Sequence, residues 1–252
     1  MRGIFILIRK YFALLKIKTI SNLKMKIGIY GRASTKEISE EIIEKAKVIG
    51  KEIAKLDWTI ITGACWEIPY EAVSAAKKYD KNAKCIGFSP APNLEMHEEW
   101  KMPTEGFTKI NFVPEELFYS IKEEKRKAVG LKLRNVLSVT ETDAAIFING
   151  QIGSMNEYTT AYDMGKVIGV LTGTGGITNG PIQALNDITT KKTEAEIIFE
   201  SEPVNLIQKI YTCLERRKNS NWWLNLRFLL SSITKDKKQL KSSTGVETFI
   251  NT

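Results

Sequence analysis

Short apolar runs, each closed by a glycine- or serine-bearing turn and followed by a helical pattern, constrain this fold most. The runs are residues 26–30, 58–61, 85–88, 144–148 and 167–171. After the first run, apolar residues recur on one helical face across residues 36–56. Strands that alternate with helices of this length indicate a parallel sheet covered on both faces. The sequence therefore predicts an α/β fold, a Rossmann-like doubly wound parallel sheet in a single domain with helical or disordered terminal extensions.

The positive charge of the chain lies at its two ends rather than in its body. Of the formal net charge of +8, residues 1–24 contribute +6, residues 215–252 contribute +5 and residues 25–214 contribute −3. A mildly acidic body argues against nucleic-acid binding by the folded domain, because a phosphate backbone needs a basic surface. We therefore expect a basic N-terminal extension, a Rossmann-like nucleotide- or phosphate-binding domain, and a basic C-terminal helix and tail. The first segment is either an extension ahead of a start at Met25 or a basic amphipathic arm.

The cysteines and the terminal segments indicate a reducing compartment. Cys65, Cys85 and Cys213 are far apart and form neither a zinc pattern nor a disulfide framework. We therefore expect a cytoplasmic protein without a metal site or a bound cofactor. The apolar run 4–8 is too short to span a bilayer, which needs about 20 apolar residues. Membrane-surface contact by the basic ends is the alternative to a C-terminal helix, around Trp222, that packs on the body or on a partner.

The turns at the strand ends are the expected ligand site. In an open parallel sheet, ligands bind outside the carboxyl ends of the strands, where glycine lets the backbone approach a ligand closely. Unpaired N–H groups at the start of each following helix favour a phosphate. The dinucleotide fingerprint and the P-loop are both missing from the sequence, so neither NAD chemistry nor ATP hydrolysis is predicted. The turn residues that we assign to phosphate or nucleotide binding are Gly31, Ser34, Gly63, Gly150, Gly153 and Ser154.

The most specific pattern is an arginine on a predicted helix, then a buried strand, then a glycine-containing loop that ends in a glutamate. Arg134 precedes the strand 144–148. The loop that follows reads Asn-Gly-Gln-Ile-Gly-Ser-Met-Asn-Glu from Asn149 to Glu157. Such a loop opens a helix whose N–H groups can hold an anion.

This segment resembles the Lonely Guy family of cytokinin-type nucleoside-monophosphate phosphoribohydrolases, whose loop reads Pro-Gly-Gly-x-Gly-Thr-x-x-Glu. The matching positions, with serine in place of threonine, are Gly150, Gly153, Ser154 and Glu157. Asn149 and Gln151 replace the proline and the second glycine, and Asn135 follows Arg134 where the hydrolases usually have lysine. The Arg-Asn pair is closer to the molybdenum-cofactor-carrier-like branch of the same SLOG superfamily. The resemblance extends loosely over about residues 25–214.

The resemblance implies a nucleotide-like small-molecule ligand, a homodimer, and roles for two residues as catalytic candidates. Arg134 would clamp a phosphate, and Glu157 would bind ribose hydroxyls or stabilise an oxocarbenium charge. From the residues alone, Glu157 could instead be a surface glutamate favoured by the helix dipole, and Arg134 a solvated helix arginine. His97 could be an acid–base group or a substrate contact, or else a surface residue of a polar loop.

Three functions stay open at this point. A phosphoribohydrolase-like enzyme would cleave a nucleoside 5′-monophosphate into base and ribose 5-phosphate, using Glu157 and Arg134 and no metal. A non-catalytic carrier or sensor would hold a nucleotide, or a phosphorylated cofactor such as molybdopterin, in the same loops. A membrane-associated interaction protein would use the basic ends. The first two functions both require a phosphorylated ligand, and only the first releases a free base.

Overall fold

The structure is a computed structural model, and its described residues are 24–33 and 38–220. Ser34, one of the turn residues assigned to phosphate binding, lies outside these residues. Segments 1–23 and 221–252, which include most of the two basic ends, also lie outside the described residues. The expectations about these ends, including membrane contact, therefore lie outside them as well.

Contacts along the chain divide it into two compact units, residues 1–212 and residues 213–252. All elements described below belong to the first unit, and residues 213–220 of the second unit are helical. No helix within the described part of the chain is long and apolar enough to cross a membrane.

Seven parallel strands form one sheet in the order β4-β3-β2-β1-β5-β6-β7. The strands are β1 (Lys26–Gly31), β2 (Thr59–Thr62), β3 (Cys85–Phe88), β4 (Lys109–Asn111), β5 (Ala144–Ile148), β6 (Val167–Leu171) and β7 (Glu196–Glu200). Every residue of β5 and β6 is buried, as expected for apolar strands covered by helices on both faces. The sheet confirms the predicted doubly wound α/β fold.

Helices alternate with these strands along the chain. They are α1 (Glu40–Lys55), α2 (Ile68–Tyr79), α3 (Leu94–Glu99), α4 (Glu115–Ser120), α5 (Glu123–Thr140), α6 (Ile152–Asp163), a 3-10 turn (Gly176–Thr178), α7 (Pro181–Ile188) and α8, from residue 203 to the end of the first unit. Helix α1 begins with Glu40 and Glu41 and ends with Lys55, and these charges complement the helix dipole. Its buried face includes Ala46, Ile49 and Ile53, the apolar positions that predicted this helix.

Strands β1 and β5 mark the point where the strand order reverses. They are hydrogen-bonded neighbours, with Gly31 opposite Ile148 at their carboxyl ends, although the chain forms β2, β3 and β4 between them. The connections from β1 and from β5 leave toward opposite sides of the sheet, so a crevice opens between these two strand ends. Any ligand site of this fold is therefore expected beside Gly31 and the loop after Ile148.

Two local expectations were wrong in detail. From the sequence alone, residues 91–119 are expected to form a long loop with one short strand, but this region also contains α3 and most of α4. Six-residue helices are too short to show a clear period in the sequence. The sequence also predicts a loop through Ser154 and a helix from Met155, but the helix after β5 begins at Ile152. Gly153, a poor helix former, hid this earlier start. As a result, Gly153 and Ser154 lie in the first helical turn and not in a loop.

Asn149 organises the loop that joins β5 to α6. Its φ of 57° lies in the left-handed region, which asparagine tolerates better than most residues. The Asn149 N–H donates to Thr174 Oγ1 at 2.8 Å, and its side-chain Nδ2 donates to the Thr174 carbonyl at 2.6 Å. The Gly150 N–H donates in turn to Asn149 Oδ1 at 2.7 Å. Asn149 thus ties this loop to the loop after β6 with bonds that a proline could not form.

Substituting proline for Asn149 is expected to destabilise the protein by about 3 kcal/mol or more. Proline requires a negative φ and has no N–H to donate to Thr174. Urea unfolding monitored by circular dichroism would measure the loss. Asn149→Gly is the matched control, because glycine accepts a positive φ and keeps the N–H, and it should cost less than Asn149→Pro. Equal stability of the two variants would contradict this account of the loop.

Candidate functional site

A cavity of about 380 Å³ opens at the carboxyl ends of β1 and β5. Its volume falls in the range of small-molecule sites. Three cationic side chains and one carboxylate line it among the described residues, namely those of Arg32, Lys132, Arg134 and Glu157. The sequence-based candidates Arg134 and Glu157 therefore face the same cavity, at the position expected for a ligand in this fold.

Arg134 and Glu157 form a buried ion pair that joins α5 to α6. Arg134 Nη1 donates to Glu157 Oε1 at 3.1 Å, and the two side chains are 10% and 6% exposed. Both residues lie on the inward faces of their helices. Neither is the solvated surface residue that the sequence also allowed.

Asn135 is a second donor to the Glu157 carboxylate. With its amide nitrogen turned toward Glu157, Asn135 donates to Oε1 at 3.1 Å and to the Leu131 carbonyl at 3.0 Å. In this orientation the amide nitrogen of Asn135 faces two acceptors, the Glu157 carboxylate and the Leu131 carbonyl. All protein contacts of the Glu157 carboxylate thus fall on Oε1. Oε2 has no hydrogen-bond partner among the described residues, and it is not sealed from solvent. This oxygen is available to a group in the cavity.

The position of Glu157 strongly changes its acidity. Burial raises the pKa of the Glu157 carboxyl to about 7, and the positive charges of Arg134 and Lys132 only partly offset that rise. Burial likewise raises the pKa of the Cys65 thiol, at the cavity wall, to about 11. Glu157 can therefore take up or release a proton near neutral pH, whereas Cys65 remains a thiol.

Tyr158 fixes the face of α6 that carries Glu157. The Tyr158 ring is buried and packs against Phe147 of β5 with ring centroids 5.6 Å apart. Its hydroxyl donates to the Asn186 side chain. Tyr158 is thus a core residue that anchors α6, and this anchoring places the adjacent Glu157 over the crevice.

The first turn of α6 presents free N–H groups to the cavity. Gly153 and Ser154 line the cavity, and their N–H groups have no acceptor within the described residues. Such groups lie at the positive end of the helix dipole and suit an anion. The Ser154 hydroxyl donates to the Gly31 carbonyl at 3.2 Å, which links the start of α6 to the end of β1.

The other turn residues assigned from the sequence differ in position. Gly31 and Gly63 line the cavity together with Gly153 and Ser154. Gly150 is absent from the described cavity wall, and its N–H is already bonded to Asn149. The structure therefore brings most of the assigned turns to one cavity and leaves Gly150 as part of the loop that supports it.

Lys132 and Asn135 are cavity residues that the sequence did not single out for function. Lys132 makes no ion pair or hydrogen bond with another described residue, and it is exposed at the cavity wall. Lys132 follows the basic run 125–127 by one helical turn and more, which is typical of a solvated helix face, and only the position of α5 over the crevice distinguishes it. For Asn135, the available sequence signal was its position directly after Arg134, in the Arg-Asn pair.

His97 is a structural residue rather than a surface or cavity residue. It is completely buried, and its ring nitrogens lie 2.9 Å from Ser89 Oγ and 3.1 Å from the Pro103 carbonyl oxygen. The expectation of a surface position was wrong, because both ring nitrogens find partners inside the fold. No described cluster of histidine, cysteine and acidic residues could hold a metal ion.

The sequence model of the SLOG cluster4 family matches residues 24–207. No curated protein matches the chain by sequence. Among solved structures, the fold is similar to that of the structural-genomics protein TM1055, with a TM-score of 0.60 and 18% identity over 75% of this chain and 99% of that one.

Two molybdenum cofactor proteins share the fold as well. The carrier protein from Chlamydomonas reinhardtii aligns with a TM-score of 0.54 and 16% identity, over 76% of this chain and 99% of its own. The binding protein from Rippkaea orientalis aligns with a TM-score of 0.55 and 17% identity, over 77% of this chain and 99% of its own. At sequence identities this low, the structural similarity supports the fold of this chain and nothing beyond the fold.

Replacing Glu157 by glutamine is expected to flatten the dependence of stability on pH. Since the folded-state pKa of about 7 lies above the ordinary value of 4.5, the folded protein holds a proton that the unfolded chain releases between these pH values. Wild-type stability should therefore fall as pH rises through this window, by on the order of 3 kcal/mol from this group. Urea unfolding at pH 5 and pH 8 measures the difference. Glu124→Gln, on an exposed part of α5, is the control and should keep the wild-type slope.

Proposed function

The chain belongs to the SLOG cluster4 family, and on that premise we propose that its cavity binds a phosphorylated, nucleotide-type small molecule. One observation carries the proposal. Gly153 and Ser154, whose N–H groups are unpaired, Lys132, which has no ion pair, and Glu157, whose Oε2 has no hydrogen-bond partner among the described residues, all line one cavity at the β1/β5 edge. These groups can hold an anion at one end of a ligand and a hydroxyl at the other.

The charges of the cavity favour a phosphate over a neutral ligand. The Glu157 carboxylate is already paired with Arg134, and Lys132 makes no ion pair with another described residue. A phosphate would compensate the charge of Lys132 and accept hydrogen bonds from the N–H groups of Gly153 and Ser154. A neutral nucleoside would leave both features uncompensated.

The function that the site supports best is binding without catalysis, as in a carrier or sensor. The loop departs from the hydrolase pattern at Asn149 and Gln151, and Asn149 adopts a conformation closed to proline. The named neighbours from Chlamydomonas reinhardtii and Rippkaea orientalis are a carrier and a binding protein for the molybdenum cofactor. The phosphorylated cofactor considered from the sequence, a pterin phosphate such as molybdopterin, is therefore a candidate ligand beside a nucleotide.

Hydrolysis of the N-glycosidic bond of a nucleoside 5′-monophosphate is the second candidate function. It is favoured by Glu157, whose pKa of about 7 and unpartnered Oε2 suit a group that stabilises positive charge or exchanges a proton near neutral pH. Arg134 would hold this carboxylate in place, and no metal is required. The homodimer that the resemblance implies stays a prediction.

Isothermal titration calorimetry with AMP and with adenosine tests the binding proposal. We expect binding of AMP and at least tenfold weaker binding of adenosine, because adenosine lacks the phosphate. Chromatography of the same mixtures for free adenine separates the two candidate functions. Adenine release that Glu157→Gln abolishes would support hydrolysis, and tight binding without release would support a carrier. The proposal would be overturned if the protein binds none of the following ligands: AMP, other nucleoside monophosphates and a pterin phosphate.

Substituting Lys132 by glutamine should weaken AMP binding by about tenfold, because a charged contact to phosphate is removed at the cavity wall. Lys125 is the matched control. It lies on the same exposed face of α5 but outside the cavity wall, so Lys125→Gln tests whether net charge alone explains the effect. Equal losses for the two variants, measured by calorimetry at fixed ionic strength, would contradict a direct contact of Lys132 with the ligand.

A further inference from the structure

Gly63, at the end of β2, occupies a position where only a residue without a side chain fits. A Cβ atom built on Gly63 would lie 1.6 Å from Arg134 Nη1 and 2.5 Å from Arg134 Cζ. These distances are far below any van der Waals contact. The backbone of Gly63 does not have a positive φ, so conformation does not demand glycine here. The reason for glycine at this position is the space taken by the Arg134 guanidinium.

The clash would fall on the atom that makes the ion pair. Arg134 Nη1 is the nitrogen that donates to Glu157 Oε1 at 3.1 Å, and it is also the atom nearest to the missing Cβ of Gly63. The loop after β2 therefore forms a wall against which the guanidinium rests while it bonds to Glu157. A methyl group on this wall would push the guanidinium away from the carboxylate.

Among the described glycines, Gly63 is the only one whose added Cβ would meet a charged group at short range. An added Cβ on Gly31 would meet the Ile148 carbonyl and the Ile68 side chain, and one on Gly153 would meet nothing within 4 Å. The site thus has one glycine whose absent side chain is matched to one cation. This match singles out Gly63 within the loop that also carries Cys65 to the cavity.

We propose that Gly63 is a positioning residue of the site: its missing side chain provides the slot that holds the Arg134 guanidinium on Glu157. Gly63 acts through Arg134 and sets how the Glu157 carboxylate is presented to the cavity. The inference rests on the proposed function only in taking this cavity as the ligand site. It differs from the phosphate-binding role assigned to Gly63 from the sequence, because the contact runs to a protein side chain rather than to a ligand.

The titration of Glu157 reports this arrangement without any ligand. The charged or titratable groups that act on Glu157, or that Glu157 acts on, are Arg134, Lys132, Tyr30 and Cys65. Of these, Arg134 is the largest favourable influence on the ionised carboxylate. If the guanidinium is pushed away, the ionised form loses this support and the midpoint of the Glu157 titration rises.

The experiment is a pH titration of the Glu157 side-chain carboxyl by carbon-13 NMR in the full chain. In Gly63→Ala, the midpoint should rise by on the order of one pH unit, because an opposite charge in contact is lost. In an Arg134→Ala background, adding Gly63→Ala should cause no further rise, since the displaced group is already missing. Gly169→Ala is the control for general strain: its Cβ would crowd Ile210 and Leu206 in the core, so it should lower stability without moving the Glu157 midpoint.

Three results would overturn the inference. The first is an unchanged Glu157 midpoint in Gly63→Ala, and the second is an equal rise in the presence and absence of Arg134. The third applies if Gly63→Ala does not fold, and it concerns the double variant Gly63→Ala/Arg134→Ala. We expect the double variant to be as stable as Arg134→Ala, because the clashing side chain is gone. A double variant that is less stable than Arg134→Ala would show that the clash lies elsewhere. If the wild type binds neither AMP, nor another nucleoside monophosphate, nor a pterin phosphate, the proposed function is rejected and this result still stands.

Discussion

The site depends on one buried ion pair between Arg134 and Glu157. Removing two charged groups from water is costly, and the cost is recovered only when each group finds close partners. Arg134 and Asn135 supply those partners on a single oxygen of the carboxylate, from one helix. The other oxygen is left to the cavity. The pair therefore fixes α5 against α6 and also leaves one acceptor for a ligand to complete.

Small residues and hydrogen bonds to backbone groups hold the segments around this pair. Gly63 gives the guanidinium its space, and the Ser154 hydroxyl closes onto the Gly31 carbonyl. Asn149 then ties the supporting loop to the loop after β6. Each contact constrains a different strand end, so the cavity has a fixed floor. A preorganised site of this kind loses little conformational entropy when a ligand enters.

The sequence predicted the parts of the molecule that local patterns encode. Buried strands and amphipathic helices such as α1 follow from the spacing of apolar residues. The motif that contains Arg134 and Glu157 predicted that both belong to one site, but not that they form an ion pair with each other. The short helices α3 and α4 and the early start of α6 at Ile152 were missed, since a single helical turn carries too little periodicity and Gly153 weakens it further.

Contacts between distant segments were beyond sequence reasoning. The slot at Gly63 joins the end of β2 to the middle of α5, and no spacing along the chain relates these segments. In the sequence, Lys132 cannot be distinguished from a solvated lysine on a basic helix. Only the position of the crevice beneath α5 identifies it as a cavity residue. The sequence placed His97 in a polar loop, whereas in the structure its ring is buried with Ser89 Oγ and the Pro103 carbonyl as partners. Tertiary placement, rather than residue type, decided each of these cases.

The position of the cavity at the ends of β1 and β5 also governs how a ligand would affect the whole molecule. These strands are central in the sheet, and their amides are expected to exchange with solvent only when the entire domain opens. A ligand held there would stabilise the last part of the protein to come apart. Ligand binding would therefore slow amide hydrogen exchange throughout the sheet and raise the melting temperature, instead of only reducing the motion of a surface loop.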